Sequence, residues 1–248
     1  MIEGADPGLL RTHTKQAISA RLAEGPRSNY LRDWIYGGID GVITTFAIVA
    51  GVVGADLSAT VVLLLGFANL LADGFAMDAG NYSGTKAERD NYDRLLGIER
   101  THIALVPEGE REEIRQIYAA KGFSHGDLER IVTVICSDPA LWARTMAVEE
   151  HGLSPTPRSP ALAALSTFVA FITCGLVPLV TYLSPGGLAF CIAATCATFF
   201  AVGAVKSRWS LAAWWRSGFE IFVIGLSAAA VAFAVGFGLR MLLHLPAA

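Results

Sequence analysis

The sequence predicts an all-α integral membrane protein, and three observations carry that prediction. The first is composition. With 53% hydrophobic and only 17% charged residues among 248, and a mean hydropathy of +0.48, the chain is more apolar than a soluble domain, in which about 45–50% apolar and about 25% charged is usual. The second is that its apolar residues come in runs long enough for five helices of the roughly 20 residues that span a bilayer. The third is a polar insert between the second and third runs, punctuated as separate helices.

The elements follow in order. Span one is expected from about Trp34 to Ala55 and span two from Leu57 to Gly80, joined by the short turn around Asp56-Leu-Ser58. No charged residue occurs between Arg158 and Lys206, a stretch long enough for spans three and four, broken at Leu183-Ser-Pro-Gly-Gly187 where Pro and Gly punctuate. Span five is expected from about Glu220 to Leu239, with Arg240 and His244 beyond it. The mixed, charged stretch before Arg32 has no early apolar core, so no cleaved signal peptide is expected.

Positive charge predicts orientation. Of 19 Lys and Arg, 18 fall before span one, between spans two and three, or between spans four and five, and only Arg240 falls on the other side. By the positive-inside rule the N-terminus and the insert are cytoplasmic. The expected divisions are therefore a cytoplasmic N-terminal segment at 1–32, spans one and two at 33–80, a cytoplasmic insert at 81–158, spans three to five at 159–243 and a non-cytosolic tail at 244–248. The membrane is either a bacterial inner membrane or a vacuolar one, since no targeting segment is readable. A net charge of -3 without a basic face gives no footprint for nucleic acid. Cys136, Cys174, Cys191 and Cys196 lack CxxC spacing, and no disulfide framework is read from them.

In the insert, span two is expected to continue as a helix through Ile103. Pro107 suits a first helical turn, Ser124-x-x-Asp127 resembles a capping box, Asp138-Pro139 is an N-cap followed by Pro at the first helical position, and Gly122 and Gly152 are C-terminal stops. Three helices are expected at about 107–121, 125–136 and 139–151.

Acidic residues on these helices are spaced as neighbours on one face. Glu99 and His102 are i,i+3, Glu110 and Glu113 are i,i+3, and Met146 and Glu150 are i,i+4. Facing helices with inward carboxylates are one way to build a metal site. Carboxylate, imidazole and thioether together suit a borderline ion such as Fe²⁺, with Mn²⁺, Co²⁺ or Zn²⁺ as alternatives. The same acids at the start of a helix are also what a solvated face attracted to the positive helix end would show.

Within the apolar runs, Asn69, Asp73, Met77 and Asn81 recur every four residues and form one stripe on span two, while Asp40 and Thr44 share a face of span one. A carboxylate at bilayer depth costs several kcal/mol or more without a partner or a wet cavity, so these positions mark a polar path. The alternatives are structural: Asp73 as a partner for backbone or an Arg, Met77 as packing filler. Gly37, Gly38, Gly41, Gly51 and Gly54 would let helices approach closely.

The run Gly37-x-x-Asp40-Gly41-x-x-Thr44-x-Phe46-Ala47-x-Val49-Ala50-Gly51, followed by Leu65-Gly66-x-Ala68-Asn69-Leu70-x-Ala72-Asp73-Gly74-Phe75-x-Met77 and Asn81-Tyr82, resembles the vacuolar iron transporter (VIT) family, and the resemblance extends over about 30–243. It implies a five-span homodimer whose subunits enclose an ion path between their first helices, with a cytoplasmic metal-binding domain feeding Fe²⁺ toward it and protons moving the other way. Asp40 and Met77 match positions of the family's translocation path. Glu99, Glu110, Glu113, Met146 and Glu150 match its metal-binding pattern E-x-x-E…P-x-x-E-x-x-E…M-x-x-x-E. The departure is His102, where the family usually has a second glutamate. An imidazole removes one negative charge and makes capture more sensitive to pH.

The expectation is therefore a five-span transporter, not an enzyme, with a cytoplasmic metal-binding insert. It moves Fe²⁺ or Mn²⁺ out of the cytosol, by proton antiport as a homodimer. Its rivals are a broader divalent-metal exporter and a membrane-anchored metal sensor or ferritin-like oxidase. The oxidase needs paired Glu-x-x-His motifs, of which Glu99-x-x-His102 is the one found.

Overall fold

A computed structural model describes residues 11–25, 28–154 and 158–243; the expected tail at 244–248, with His244, lies outside them. The helices are α1 (Lys15–Glu24), α2 (Leu31–Gly54), α3 (Ala59–Leu105), α4 (Pro107–Ala120), α5 (His125–Cys136), α6 (Pro139–Glu149), α7 (Pro160–Tyr182), α8 (Gly187–Lys206) and α9 (Trp214–Leu243), with a 3₁₀ turn at Ser207–Trp209. No strand occurs among the described residues. Five helical stretches are long and apolar enough to cross a membrane: α2, α3, α7, Gly187–Trp209 and α9. The chain is an all-α, multi-pass membrane protein. α5 and α6 together would also pass that test, but they bend by 113° at their break. Their apolar side chains fill the insert's own core, so they are core helices.

The chain divides into two compact units, one holding Ala87–Arg158 with the residues up to Asn29, the other holding Tyr30–Lys86 with the chain from Ser159 onward. In the second unit, α2 packs against α7 and α9 so tightly that backbones touch. A Cβ on Gly37 would stand 2.2 Å from the Thr167 carbonyl oxygen, and one on Gly236 would stand 2.0 Å from that of Gly51. In lipid there is little hydrophobic force between helices, so this close approach is what dispersion and packing require. Val42, Phe46, Val49, Leu70, Phe171, Leu179 and Phe199 fill the space between the helices.

Polarity rises after Gly80, yet packing as part of the helical bundle continues further. The Asn81 amide donates to Asp33 Oδ1 (3.0 Å), the Thr167 hydroxyl (2.6 Å) and the Ala163 carbonyl (3.2 Å), which joins α3 to α2 and α7. Thr85, buried one turn on, donates to Asn81 Oδ1. For this reason the boundary between units falls at 86/87.

The first unit is built around Ile114, Val132, Ile135, Trp142 and Met146, with Ile103 of α3 packed against them. Its punctuation follows local chemistry. Asp138 accepts from the Ala140 N–H at 2.8 Å, and Gly122 and Gly152 end helices in the left-handed region at φ of 97° and 64°. The capping box expected at Ser124 is not formed. Ser124 makes no side-chain cap bond, and His125 itself enters the helix at a φ of 51°.

Candidate metal centre

The metal-binding candidates of the insert converge in two overlapping groups. Side-chain ligand atoms of Glu99, His102 and Glu110 lie within 4.8 Å of one another, and so do those of Glu99, Glu150 and His151. Glu99 is the shared member and is 2% exposed. Its Oε1 is 2.8 Å from His151 Nε2, while its Oε2 is buried with no hydrogen-bond partner. Glu110, 5% exposed, repeats the arrangement: Oε1 is 3.3 Å from His102 Nδ1, and Oε2 is buried and unpartnered.

Local structure explains how these side chains meet. Glu99 and His102 occupy successive turns of α3. The chain then reverses at Val106, whose N–H bonds the His102 carbonyl at 2.7 Å, and Pro107 starts α4 with Glu110 inside its first turn. At the far end, Gly152 turns the chain in left-handed φ and the Leu153 N–H folds back on the Ala147 carbonyl at 3.1 Å. That turn follows His151 immediately.

Burial dominates the electrostatics. It pushes the Glu110 carboxyl up to about 7, with Glu113 and then Glu99 adding to the rise and His102 opposing it. Burial also raises the Glu150 carboxyl, with His151 opposing it and Glu99 and Glu113 adding to it. Glu113 is exposed and belongs to neither group of three, yet acts on both as a neighbouring charge. Met146 is wholly buried within the apolar cluster. A buried carboxylate with an unmet oxygen is costly, and a divalent cation held between Glu99 and Glu110 would satisfy both orphaned atoms. The donor set therefore fits a first-row cation. Not all acids of α4 share this environment. Glu112, two residues on from Glu110, is taken up with Arg115 and Gln116 on the exposed side.

In the membrane-spanning unit, Asp40, Thr44, Asn69, Asp73 and Met77 are all half-buried. Asp73 is close enough to Asp40 for their charges to interact, and among the described residues neither carboxylate has a hydrogen-bond or ion-pair partner. Asn69 has a buried amide nitrogen without a partner. The Thr44 hydroxyl is used within its own helix, donating to the Asp40 backbone carbonyl at 2.9 Å. Met77 packs against the apolar core. Helix spacing points neither to His151 nor to Asp33, the partner of Asn81. The helix expected at about 139–151 ends at Glu149, so His151 lies just past it and is placed by the following turn, not by helix spacing. Asp33 was legible only as an acid at the start of an apolar run.

Fold and site together define a multi-pass helical membrane protein with a carboxylate and imidazole cluster in its polar insert. The VIT family model matches residues 31–237, and the chain belongs to that family. The protein of Arabidopsis thaliana named vacuolar iron transporter 1 is 32% identical over 239 residues, covering 94% of this chain and 93% of its own. Vacuolar iron transporter 2 of Oryza sativa subsp. japonica is 32% identical over 232 residues, 92% of each chain. A vacuolar iron transporter of Toxoplasma gondii is 38% identical over 162 residues, 63% of this chain and 53% of its own. These relatives are named as transporters, consistent with a chain that is not an enzyme.

Proposed function

We propose that the protein moves Fe²⁺ out of the cytosol across its membrane in exchange for protons, with the insert on the cytosolic side. The observation that carries the metal reading is the pair of buried glutamates, Glu99 and Glu110, each with one oxygen left without a partner. The names of the relatives support iron as the cargo. Glu99, His102, Glu110 and Glu150 capture the ion, and Glu113 adds negative charge beside them. Met146 is the family-matched thioether, buried in the insert's apolar cluster.

Asp40 and Asp73 then form the in-membrane station, with Asn69, Thr44 and Met77 along the same stripes. Two neighbouring carboxylates without partners among the described residues are expensive in a bilayer, and an ion or protons alternating between them would offset that cost. A merely anchored metal sensor has no use for such a pair. In this reading two copies of the chain enclose the path between their first membrane helices, where Asp40 and Met77 line it.

The donor set also admits Mn²⁺, Co²⁺ and Zn²⁺, so the test compares cargoes. Purified protein in liposomes should accumulate Fe²⁺ when a pH gradient is imposed and should slow when the gradient is collapsed. Transport of none of these ions, or Fe²⁺ flux indifferent to the gradient, would remove the antiport reading.

A further inference from the structure

His151 is outside the family pattern that Glu99, Glu110, Glu113, Met146 and Glu150 match, yet it contacts Glu99 directly. Its Nε2 lies 2.8 Å from Glu99 Oε1 and 3.8 Å from Glu150 Oε2. The imidazole is itself three-quarters buried, at 25% side-chain exposure. Across Glu99, the second imidazole, His102, stands 3.3 Å from Glu110. The contact with His151 meets only one oxygen of Glu99, because Oε2 has no partner. A hydrogen bond to His151 therefore does not complete this carboxylate, whereas a cation bound by it would.

We propose that His151 is a second imidazole ligand of this centre, bringing a nitrogen donor to the Glu99–Glu150 side as His102 does to the Glu99–Glu110 side. The inference rests on the reading of the insert as an ion-capturing site and adds to it a basis for selectivity. A site of carboxylates alone suits hard ions such as Mn²⁺. Replacing oxygen donors by two imidazoles favours Fe²⁺, Co²⁺ and Zn²⁺, following both ligand softness and the general order of divalent affinities. His102 stands where the family usually has a glutamate, and His151 adds to that shift. The chain would then discriminate against Mn²⁺ at capture, before any ion enters the membrane.

The test uses the full-length protein in detergent, titrated separately with Zn²⁺, Co²⁺ and Mn²⁺ against a chromophoric competitor. His151→Gln preserves a hydrogen-bond donor toward Glu99 but removes the imidazole. It should weaken Zn²⁺ and Co²⁺ binding by about tenfold or more and leave Mn²⁺ within about threefold of the parent. X-ray absorption of the Zn²⁺-loaded parent should show imidazole scattering from two residues, which requires no variant to fold. Equal weakening of all three metals would mean that His151 only orients Glu99, and would overturn the proposal. So would scattering from a single imidazole. Should Glu99→Gln bind every metal like the parent, the capture reading itself fails and this inference with it. A loss in Glu99→Gln with unchanged selectivity in His151→Gln sinks the inference alone.

Discussion

Asn81 holds Asp33 at 3.0 Å across the first two membrane helices, and the same amide reaches the Thr167 hydroxyl at 2.6 Å. One side chain on α3 thus closes a polar junction with α2 and α7, and Asp33 is only 4% exposed there. Asn81 is also the last member of the four-residue stripe that begins at Asn69. The stripe accordingly has two uses. Its end fastens helices, while Asp73 is left with its carboxylate unpaired among the described residues.

Removing that junction should cost stability without touching capture of metal. Asn81→Ala deletes the three contacts donated by the amide nitrogen and the one its oxygen accepts from Thr85, and side-chain hydrogen bonds in membrane proteins average about 0.6 kcal/mol with maxima near about 1.7. A net loss of about 1–2 kcal/mol is expected, seen as a lower midpoint when the heated detergent-solubilised protein is followed by size-exclusion elution. Metal bound per chain below the midpoint should match the parent. An unchanged midpoint would mean that the junction is not a fastening.

The Glu110 carboxyl yields a pH prediction with a definite sign. Its value of about 7 lies above the ordinary 4.5. A raised acid favours the folded state in its protonated form. The stability it supports is therefore complete below about 4.5 and is lost as pH rises through about 7. Without metal, Glu110→Gln should gain stability relative to the parent at pH 8 compared with pH 5. Metal reverses the order, since binding needs the ionised carboxylate: added Zn²⁺ should stabilise the parent more at pH 8 than at pH 5, and Glu110→Gln little at either. On the proposed reading exposed Glu113 adds charge beside the ligands, so Glu113→Gln should weaken binding less than Glu110→Gln does. Parallel pH profiles for parent and Glu110→Gln would refute the assignment.

Much of the insert was legible because its signals are local. Pro107, Gly122, Asp138 and Gly152 act within one turn of where they stand: α4 and α6 begin at Pro107 and just after Asp138, and Gly122 and Gly152 follow their ends. Ser124 failed as a capping box because the backbone at His125 turns left-handed, which no residue pattern encodes. The last helix starts at Trp214 and not near Glu220, since the charges of Arg216 and Glu220 hid its first turns. Glu220 is paired with Lys206 at 3.1 Å. The site was legible as far as helix spacing could take it. His151 was not, because it reaches Glu99 from 52 positions away through tertiary packing and a glycine turn.

Orientation is open to direct measurement through the uneven distribution of Lys and Arg. In a background free of the four native cysteines, Ser124→Cys should react with an impermeant thiol reagent only from the cytosolic side. Ser58→Cys, in the turn between α2 and α3, should react only from the opposite side. Reaction of both from one face would overturn the five-span arrangement.

Asp40 separates a transporter from an anchored binding protein. Asp73 is close enough for its charge to act on Asp40, which lies within a membrane helix and has no hydrogen-bond or ion-pair partner among the described residues; on the proposed reading, an ion or proton in transit would meet that charge. Asp40→Asn keeps size and hydrogen-bonding capacity but removes the titratable group, so elution and metal binding by the insert should survive while proton-coupled Fe²⁺ uptake into liposomes falls by at least about tenfold. Met77→Leu should cause a milder defect, because Met77 packs against the apolar core and the exchange conserves volume while deleting only a soft, weak ligand. The two readouts, uptake and metal bound per chain, must move apart for Asp40→Asn. If that variant transports at the parent rate with its dependence on the pH gradient intact, the ion does not pass by Asp40, and the path through the first membrane helix is wrong.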